Sequence, residues 1–88
     1  MIFEVVLSRA VVKTLDSLDP STQKRIRNRI KQIAIDPFDH HISKSLTHAE
    51  GSRSSRVGGW RIIYLVDAEK ALVDILTIAT RGQVYRRL

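Results

Sequence analysis

The fold of this chain is decided by residues 56–66, which read RVGGWRIIYLV. Gly58-Gly59 predicts a two-residue hairpin turn, because glycine adopts the positive φ values of such turns without a steric penalty from Cβ. Aromatic and β-branched residues follow at 60–66, with apolar side chains on both faces, which is typical of a central strand. Arg61 is the single charged residue of that strand. Its guanidinium cannot lose its charge, so it must reach an anion or water.

Two interpretations of Arg61 follow from the residues alone. It is either a structural cation paired with a carboxylate such as Asp74 or Glu4, or a binding group for an anionic ligand. The chain carries 15 Lys and Arg against 9 acidic residues, for a formal net charge of +6. A small domain this basic usually meets a polyanion or an acidic partner, and a basic surface that only confers solubility is the alternative.

Length and composition limit the class of protein. The 88 residues, 1–88, suit a single domain with one hydrophobic core. Cysteine is absent, which excludes disulfides and thiolate metal sites. No apolar run reaches the roughly 18 residues of a membrane span, and Met1 leads straight into a strand pattern rather than a signal peptide. We therefore expect a cytoplasmic protein.

The remaining pattern predicts the element order β-α-α-β-β-β. A strand at residues 2–7 precedes a helix that Ser8 caps and that ends near Leu18, and Asp19-Pro20 starts a second helix that ends near Ile35. Further strands are predicted at residues 52–57, 60–66 and 71–79, and the polar 52–57 strand is expected to be exposed on at least one side. The fold class is α+β, a small antiparallel sheet with two N-terminal helices packed on one face. The helical residues predicted to face the sheet are Val11, Leu15, Leu18, Ile26, Ile30 and Ile33.

Two polar groups are left outside the predicted site. Cations without acidic neighbours occupy the outer side of the second helix, either as a phosphate-facing stripe or, more commonly, as a solvated face. They are Lys24, Arg25, Arg27 and Lys31, with Arg29 at the flank. Three histidines follow at positions 40, 41 and 48, but adjacent histidines share no helical or strand face, so no metal site is predicted.

Strand alternation gathers arginines at one end of the sheet. Arg61 shares a face with Ile63 and Leu65, and the last strand is predicted to place Arg81 on one face with Val73, Ile75, Thr77 and Ala79. A hairpin about residues 67–70 brings Arg61 and Arg81 to the same end, with Arg56 just across the glycine turn. Tyr85 follows within reach. Three arginines and a phenol could form a binding site for a phosphodiester, although the same group could bind an acidic peptide.

Two motifs in the chain resemble those of a known family. Residues 56–64, RVGGWRIIY, are similar to the R-V-G-D-Y-R-I-I-Y motif of the RelE/ParE superfamily of toxins from toxin–antitoxin systems. Residues 80–85, TRGQVY, are similar to its H-R-R-D-V-Y motif near the C-terminus. Length and element order agree as well, so the resemblance covers essentially the whole chain and implies a RelE-like fold.

The resemblance to the RelE branch implies a ribosome-dependent endoribonuclease that cuts mRNA. A ribose 2′-OH would attack the adjacent phosphate, and Arg61 and Arg81 match the arginines that stabilise the charge of the transition state. Arg56 matches a basic position that holds phosphate or activates the nucleophile, and Tyr85 matches a tyrosine that orients the substrate. Arg53 and Arg86 are predicted to bind substrate. No metal or cofactor is implied, because the nucleophile belongs to the RNA.

Departures from the family motifs leave other interpretations open. Ser54 stands where a second basic residue is usual, and Thr80, Gly82 and Gln83 replace the His, Arg and Asp of the tail motif, so acid–base roles at those positions are lost. The histidines could substitute, although loop packing is their more ordinary role. The alternative function is a ParE-like inhibitor that binds DNA gyrase, and a third interpretation is an inactive, antitoxin-binding relative. In the toxin interpretations the expected partner is an acidic, RelB-like antitoxin; the nuclease also requires the ribosome and mRNA.

Overall fold

A computed structural model of the chain describes residues 2–46 and 51–80. Its elements, in order, are β1 (Glu4–Leu7), α1 (Arg9–Asp16), α2 (Pro20–Ile35), β2 (Lys44–Ser45), β3 (Ser52–Val57), β4 (Trp60–Asp67) and β5 (Leu72–Thr80). The α+β class and the predicted helices and strands are confirmed. The two-residue strand β2 was not predicted, because so short a run has no readable periodicity. Neither described helix combines the length and apolarity needed to cross a membrane.

The five strands form one sheet in the order β1-β5-β4-β3-β2. The prediction that β4 is central is confirmed, since it pairs with β5 on one side and β3 on the other. Strands β2 to β5 pair antiparallel as predicted, but β1 pairs parallel with β5. The sheet is therefore mixed, which corrects the antiparallel prediction for β1. No hairpin links these two strands, so no turn imposes an antiparallel direction on them.

The helix starts follow from their capping residues. The Ser8 side chain accepts a hydrogen bond from the Val11 amide at 3.2 Å, and Asp19 accepts one from the Thr22 amide at 3.0 Å. Hydrogen bonding from Thr22 lowers the pKa of Asp19 below its ordinary value. Both N-caps are as predicted, and Pro20 occupies the first turn of α2, where its missing N–H is not needed.

The core lies between the two helices and one face of the sheet. Tyr64 is fully buried there, and its hydroxyl donates a 2.7 Å hydrogen bond to the Pro37 carbonyl, which fixes the start of the loop after α2. The opposite face of the sheet, which we call the open face, carries Arg61, Ile63 and Leu65, as predicted. The buried apolar cluster is formed by Val11, Leu15, Ile26, Ile33, Val57, Ile62, Tyr64, Val73, Ile75 and Ile78.

A β-bulge in β5 changes which residues share a face. Ile63 lies opposite Thr77, but Tyr64 lies opposite Ile75, so Leu76 is an extra residue. The prediction that Val73, Ile75, Thr77 and Ala79 share a face is therefore wrong. Val73 and Ile75 join the core, whereas Ala79 lies opposite Arg61 on the open face. Strict alternation cannot reveal a bulge, because it adds one residue without a composition signal.

The turn between β3 and β4 places the two strands in register. Gly58 has a φ of +59°, whereas Gly59 is not in the positive region, so only one of the two predicted positive φ values is found. A positive φ at the first central residue is the pattern of a type II′ turn. The Arg25 guanidinium of α2 lies over this turn, with Nη1 3.4 Å from the position that a Cβ on Gly58 would occupy.

Candidate functional site

Arg56 and Arg61 form a pair on the open face. They are direct partners in the β3–β4 register, two positions from the glycine turn. Arg61 is half-buried and Arg56 is exposed, and the Arg56 Nε donates to the Gly58 carbonyl at 3.2 Å. The sequence prediction that the glycine turn brings these two arginines together is met by this register. Guanidinium groups donate hydrogen bonds to phosphate and carboxylate oxygens, so the chemistry of this pair suits an anion.

Arg61 is not a structural cation within the described part of the chain. The ion pairs among residues 2–46 and 51–80 join Arg27 to Asp16 at 3.4 Å and His41 to Asp39 at 3.0 Å. Asp74 lies opposite Leu65, four residues along β4 from Arg61, and Glu4 lies on the edge strand β1. The predicted alternative of a pair with Asp74 or Glu4 is therefore not found. Among residues 2–46 and 51–80, no carboxylate pairs with Arg61, so within this part of the chain its charge is left for a ligand or for water.

The arginine pair opens into a cavity of about 360 Å³ at the β2–β3 edge of the sheet. Ser54 is one of the residues that line it, and the Ser54 hydroxyl is buried and has no hydrogen-bond partner within the described residues. A buried hydroxyl without a partner costs free energy. We call this cavity the arginine pocket. Its polar lining is formed by Arg29, His40, His41, Ser43, Lys44, Ser54, Arg56 and Arg61.

Arg29 connects the helical layer to this pocket. Its Nη1 donates to the Arg56 carbonyl at 2.8 Å and to the Ser55 hydroxyl at 2.9 Å, and its Nε donates to the Gln32 side chain at 2.9 Å. The Ser55 hydroxyl in turn donates to the Ile42 carbonyl at 2.6 Å. These bonds tie α2, β3 and the loop after α2 into one unit. The sequence analysis assigned Arg29 to the helix flank only, since no spacing rule relates residues 26 positions apart.

The prediction that strand β3 is exposed on at least one side holds for Arg56 but not for its serines. Ser52, Ser54 and Ser55 are all buried, with exposures of 5, 4 and 0%. Serine is small, and its hydroxyl can be satisfied by neighbouring carbonyls and guanidinium groups, as Ser55 shows. Composition alone does not distinguish such a strand from an exposed one.

The structure does not bring Arg53 to the arginine pair. Its side chain lies on the helix-facing side of β3, where Nε donates to the Ser43 hydroxyl at 3.0 Å and Nη1 to the Ser45 hydroxyl at 3.1 Å. The guanidinium also lies over the Phe38 ring, 5.8 Å from its centroid. Arg53 therefore holds the loop after α2 against the sheet. The other predicted site residues, Arg81, Tyr85 and Arg86, lie outside the described residues.

The loop after α2 carries a cluster whose convergence the sequence analysis did not predict. The rings of His40 and His41 lie 4.2 Å apart, and ligand-type atoms of Asp39, His40 and His41 fall within 4.8 Å of one another. The histidines lie in turns, where the rule that adjacent residues share no helical or strand face does not apply, so their proximity was not predicted. We do not assign the cluster as metal ligands, since the arginines and Lys44 of the pocket disfavour a further cation.

A second concavity lies in the helical layer. It has a volume of about 580 Å³ and an apolar floor that includes Leu7, Leu15 and Ile30. We call it the helix groove. Cations border it on one side, contributed by Lys24, Arg27 and Lys31 of α2. A groove with an apolar floor and a basic rim fits an amphipathic segment with acidic residues.

Comparison with known proteins identifies the class of this fold. A family model described as the ParE toxin of the type II toxin–antitoxin system parDE matches residues 5–85. No curated protein sequence gives a significant match.

Solved structures show the same fold along nearly the whole chain. A chain of the archaeal RelE–RelB complex from Pyrococcus horikoshii is 24% identical with a TM-score of 0.81, and the match covers 94% of this chain and 99% of that one. A chain of the Mycobacterium tuberculosis toxin–antitoxin complex RelBE2 is 24% identical with a TM-score of 0.76, covering 92% and 100%. A mutant of the E. coli toxin RelE, in complex with a peptide of the antitoxin RelBc, is 15% identical with a TM-score of 0.79, covering 99% and 94%.

Proposed function

Since this chain belongs to the RelE/ParE family and is a toxin of a type II toxin–antitoxin system, we propose that it acts as an endoribonuclease that cuts mRNA on the ribosome. The observation that carries the proposal is the Arg56–Arg61 pair, which faces the pocket without a carboxylate partner among the described residues. An RNA phosphodiester supplies the anion that this pair lacks.

The arginine pocket favours the transition state of RNA self-cleavage. The 2′ oxygen of a ribose attacks the adjacent phosphorus, the bond from phosphorus to the 5′ oxygen breaks, and a 2′,3′-cyclic phosphate and a 5′-OH remain. Negative charge builds on the phosphoryl oxygens, and fixed guanidinium donors stabilise it more than they stabilise the ground state. Arg61 takes this role, and Arg56 holds the phosphate. The reaction requires the 2′-OH, so the substrate is RNA rather than DNA.

The sequence motif at residues 80–85 adds further residues to the proposed site. Arg81 follows directly after Thr80, the partner of Trp60 at the end of β5. By resemblance we propose Arg81 as a second transition-state cation, Tyr85 as the residue that orients the substrate, and Arg86 as a substrate contact. Arg53 receives no substrate role, because its donors are used within the protein.

Cleavage on programmed ribosomes tests this proposal. Purified protein is added to ribosomes that hold a defined mRNA, and both new ends of any fragment are identified chemically. The proposal predicts a cut with a 2′,3′-cyclic phosphate on one side and a 5′-OH on the other. Intact mRNA, or fragments with a 3′-OH and a 5′-phosphate, would contradict it.

A second candidate function is inhibition of DNA gyrase by binding. The matching family model is that of ParE rather than of RelE, and this observation favours the alternative. A supercoiling assay run beside the ribosome assay separates the two functions. Loss of supercoiling together with intact mRNA would establish the binding function, whereas cut mRNA with normal supercoiling establishes the nuclease.

The partner that we propose is a small acidic antitoxin. Structures similar to this chain are those of RelE–RelB complexes. The helix groove offers an apolar floor beside Lys24, Arg27 and Lys31, and the open face exposes Leu65 and Leu76 by 38 and 48%. An amphipathic antitoxin helix would bury this apolar surface and neutralise part of the +6 charge.

A further inference from the structure

The loop between α2 and β2 places an imidazole and a carboxylate beside the arginine pair. His41 Nδ1 lies 3.0 Å from the Asp39 carboxylate, and the same oxygen accepts the His41 backbone amide at 2.9 Å. His41 and the arginine pair line one cavity of about 360 Å³. The His41 side chain is 78% exposed, so it is open to a ligand in that cavity.

We propose that His41, oriented by Asp39, is the general base of the cleavage reaction. The inference rests on the proposed function and deepens it by naming the group that accepts the proton. None of the residues matched to the family motifs supplies a good base near neutral pH, since arginine is always protonated and a phenol titrates near pH 10. The neutral imidazole of His41 has a ring nitrogen with a lone pair that can accept a proton, which suits the role.

The hydrogen bond to Asp39 decides which nitrogen is basic. Asp39 accepts the proton of Nδ1, so the lone pair of the neutral imidazole is on Nε2. The two hydrogen bonds from His41 hold the pKa of Asp39 below its ordinary value, so the carboxylate stays ionised near neutral pH. A carboxylate that orients an imidazole and stabilises its protonated form is the arrangement of catalytic dyads.

The loop that carries the dyad is held at several points. The Asp39 carbonyl accepts the backbone amides of Ile42 and Ser43 at 3.2 and 3.1 Å. The Ile42 carbonyl accepts the Ser55 hydroxyl at 2.6 Å, which links the loop to the strand of Arg56. A base that is fixed relative to the phosphate-binding groups loses less entropy on reaching the transition state.

The proposed step conserves protons. Nε2 of His41 takes the proton of the 2′-OH as the bond from the 2′ oxygen to phosphorus forms and the bond to the 5′ oxygen breaks. The departing 5′ oxygen takes a proton from water, and the hydroxide produced is neutralised by the proton that the imidazolium releases. The charged and titratable groups that face His41 are Asp39 and His40 of its own loop, Lys44 of β2, Arg56 of β3, Arg61 of β4 and Arg29 of α2.

Single-turnover cleavage on programmed ribosomes, measured across about pH 5 to 8, tests the inference. The wild-type rate is expected to rise with pH through an inflection. His41→Ala is expected to be about 100-fold slower or more, to lack the inflection, and to regain part of its rate when free imidazole is added. Asp39→Asn is expected to be slower than wild type. Asp16→Asn is the matched control, because it removes an exposed carboxylate of α1 away from the pocket, and its rate and pH profile should not change.

The outcomes separate the two proposals. If the wild type cuts mRNA and His41→Ala keeps the same rate and pH profile, the general-base inference is overturned and the nuclease function stands. If the wild type cuts nothing, both are overturned. Thermal unfolding of each variant, with midpoints equal to wild type, excludes a loss of fold as the cause of a lower rate.

Discussion

At the scale of single residues, the proposed nuclease function depends on the position of the Arg61 guanidinium. Arg61 is half-buried on the open face, opposite Arg56 and Ala79. An arginine in this position is stabilised by an anion that the described residues do not supply. The anion-binding chemistry that we propose for the pocket therefore rests on the lack of a carboxylate partner for Arg61 among the described residues.

Removal of Arg61 should affect the chemical step far more than the fold. We expect Arg61→Ala to lower the single-turnover cleavage rate by about 10²- to 10³-fold, the range found when one preorganised charge-stabilising donor is removed. Arg9→Ala, which deletes an exposed arginine of α1, is the matched control and should cleave at the wild-type rate. Equal rates for wild type and Arg61→Ala would show that this guanidinium does not contact the reacting phosphate.

Part of this site could be predicted from the sequence. The alternation of side chains along β4 predicted that Arg61 lies on the other face of the sheet from Ile62. The glycine turn predicted that Arg56 lies beside Arg61. The burial of Ser54 could not be predicted, because composition does not distinguish a buried serine-rich strand from an exposed one. The convergence of Asp39 with His41 could not be predicted either, because it depends on the turns of the loop rather than on periodicity. Arg53 was predicted to bind substrate because it is basic and close in sequence to Arg56. Its guanidinium instead donates hydrogen bonds to the Ser43 and Ser45 hydroxyls.

At the scale of elements, the β3–β4 hairpin sets the register of the arginine pair. Its turn contains two glycines with different requirements, since only Gly58 has a positive φ. This difference gives a matched pair of substitutions within one turn.

Gly58→Ala should destabilise the protein by about 1–2 kcal/mol, the cost of the left-handed region for a residue with a Cβ. The added methyl would also lie 3.4 Å from the Arg25 guanidinium. Gly59→Ala should leave the free energy of unfolding near wild type, because a Cβ there meets nothing within 4 Å. Urea unfolding of both variants measures the difference, and equal midpoints would contradict this account of the turn.

Arg29 should matter more than its neighbours on α2. We expect Arg29→Ala to lower the free energy of unfolding by about 1.5–3 kcal/mol, because hydrogen bonds from a charged donor to Ser55 and Arg56 are lost. Arg27→Ala, on the same helix, removes only an exposed ion pair with Asp16 and should cost less than about 1 kcal/mol. Chemical denaturation of the two variants measures both free energies of unfolding. A larger loss of stability for Arg27→Ala than for Arg29→Ala would contradict the structural role given to Arg29.

The elements themselves were largely predictable. Capping by Ser8 and Asp19 defined both helix starts, and apolar periodicity defined their buried faces. The bulge at Leu76 and the parallel pairing of β1 were not predictable, because each depends on tertiary pairing that no local pattern encodes. The serines of β3 misled the analysis for a related reason, since their partners are distant in sequence.

At the scale of the whole molecule, charge and apolar surface are both available to a partner. The net charge is +6, and the exposed apolar residues of the sheet include Val6, Leu65 and Leu76. In our proposal, this protein binds RNA through one surface and an antitoxin through another, and the two surfaces differ in polarity. The arginine pocket is polar, whereas the helix groove has an apolar floor.

Salt should distinguish these two surfaces. At about 1 M salt the Debye length falls to about 3 Å, so contacts between exposed charges are largely screened. We expect the antitoxin complex to survive a high-salt wash on a column, because burial of apolar surface holds it, whereas binding to ribosomes should be lost. Release of the antitoxin under the same conditions would show that charge, rather than burial, holds that pair.

The most direct measurement uses an mRNA that carries one 2′-deoxyribose immediately 5′ of the mapped cut. Our account predicts that wild-type protein cuts the all-ribose mRNA on programmed ribosomes and leaves the bond after the deoxyribose intact, because the nucleophile is missing. Continued cleavage at that bond would contradict the claim that the arginine pocket acts by stabilising attack of the RNA on its own phosphate.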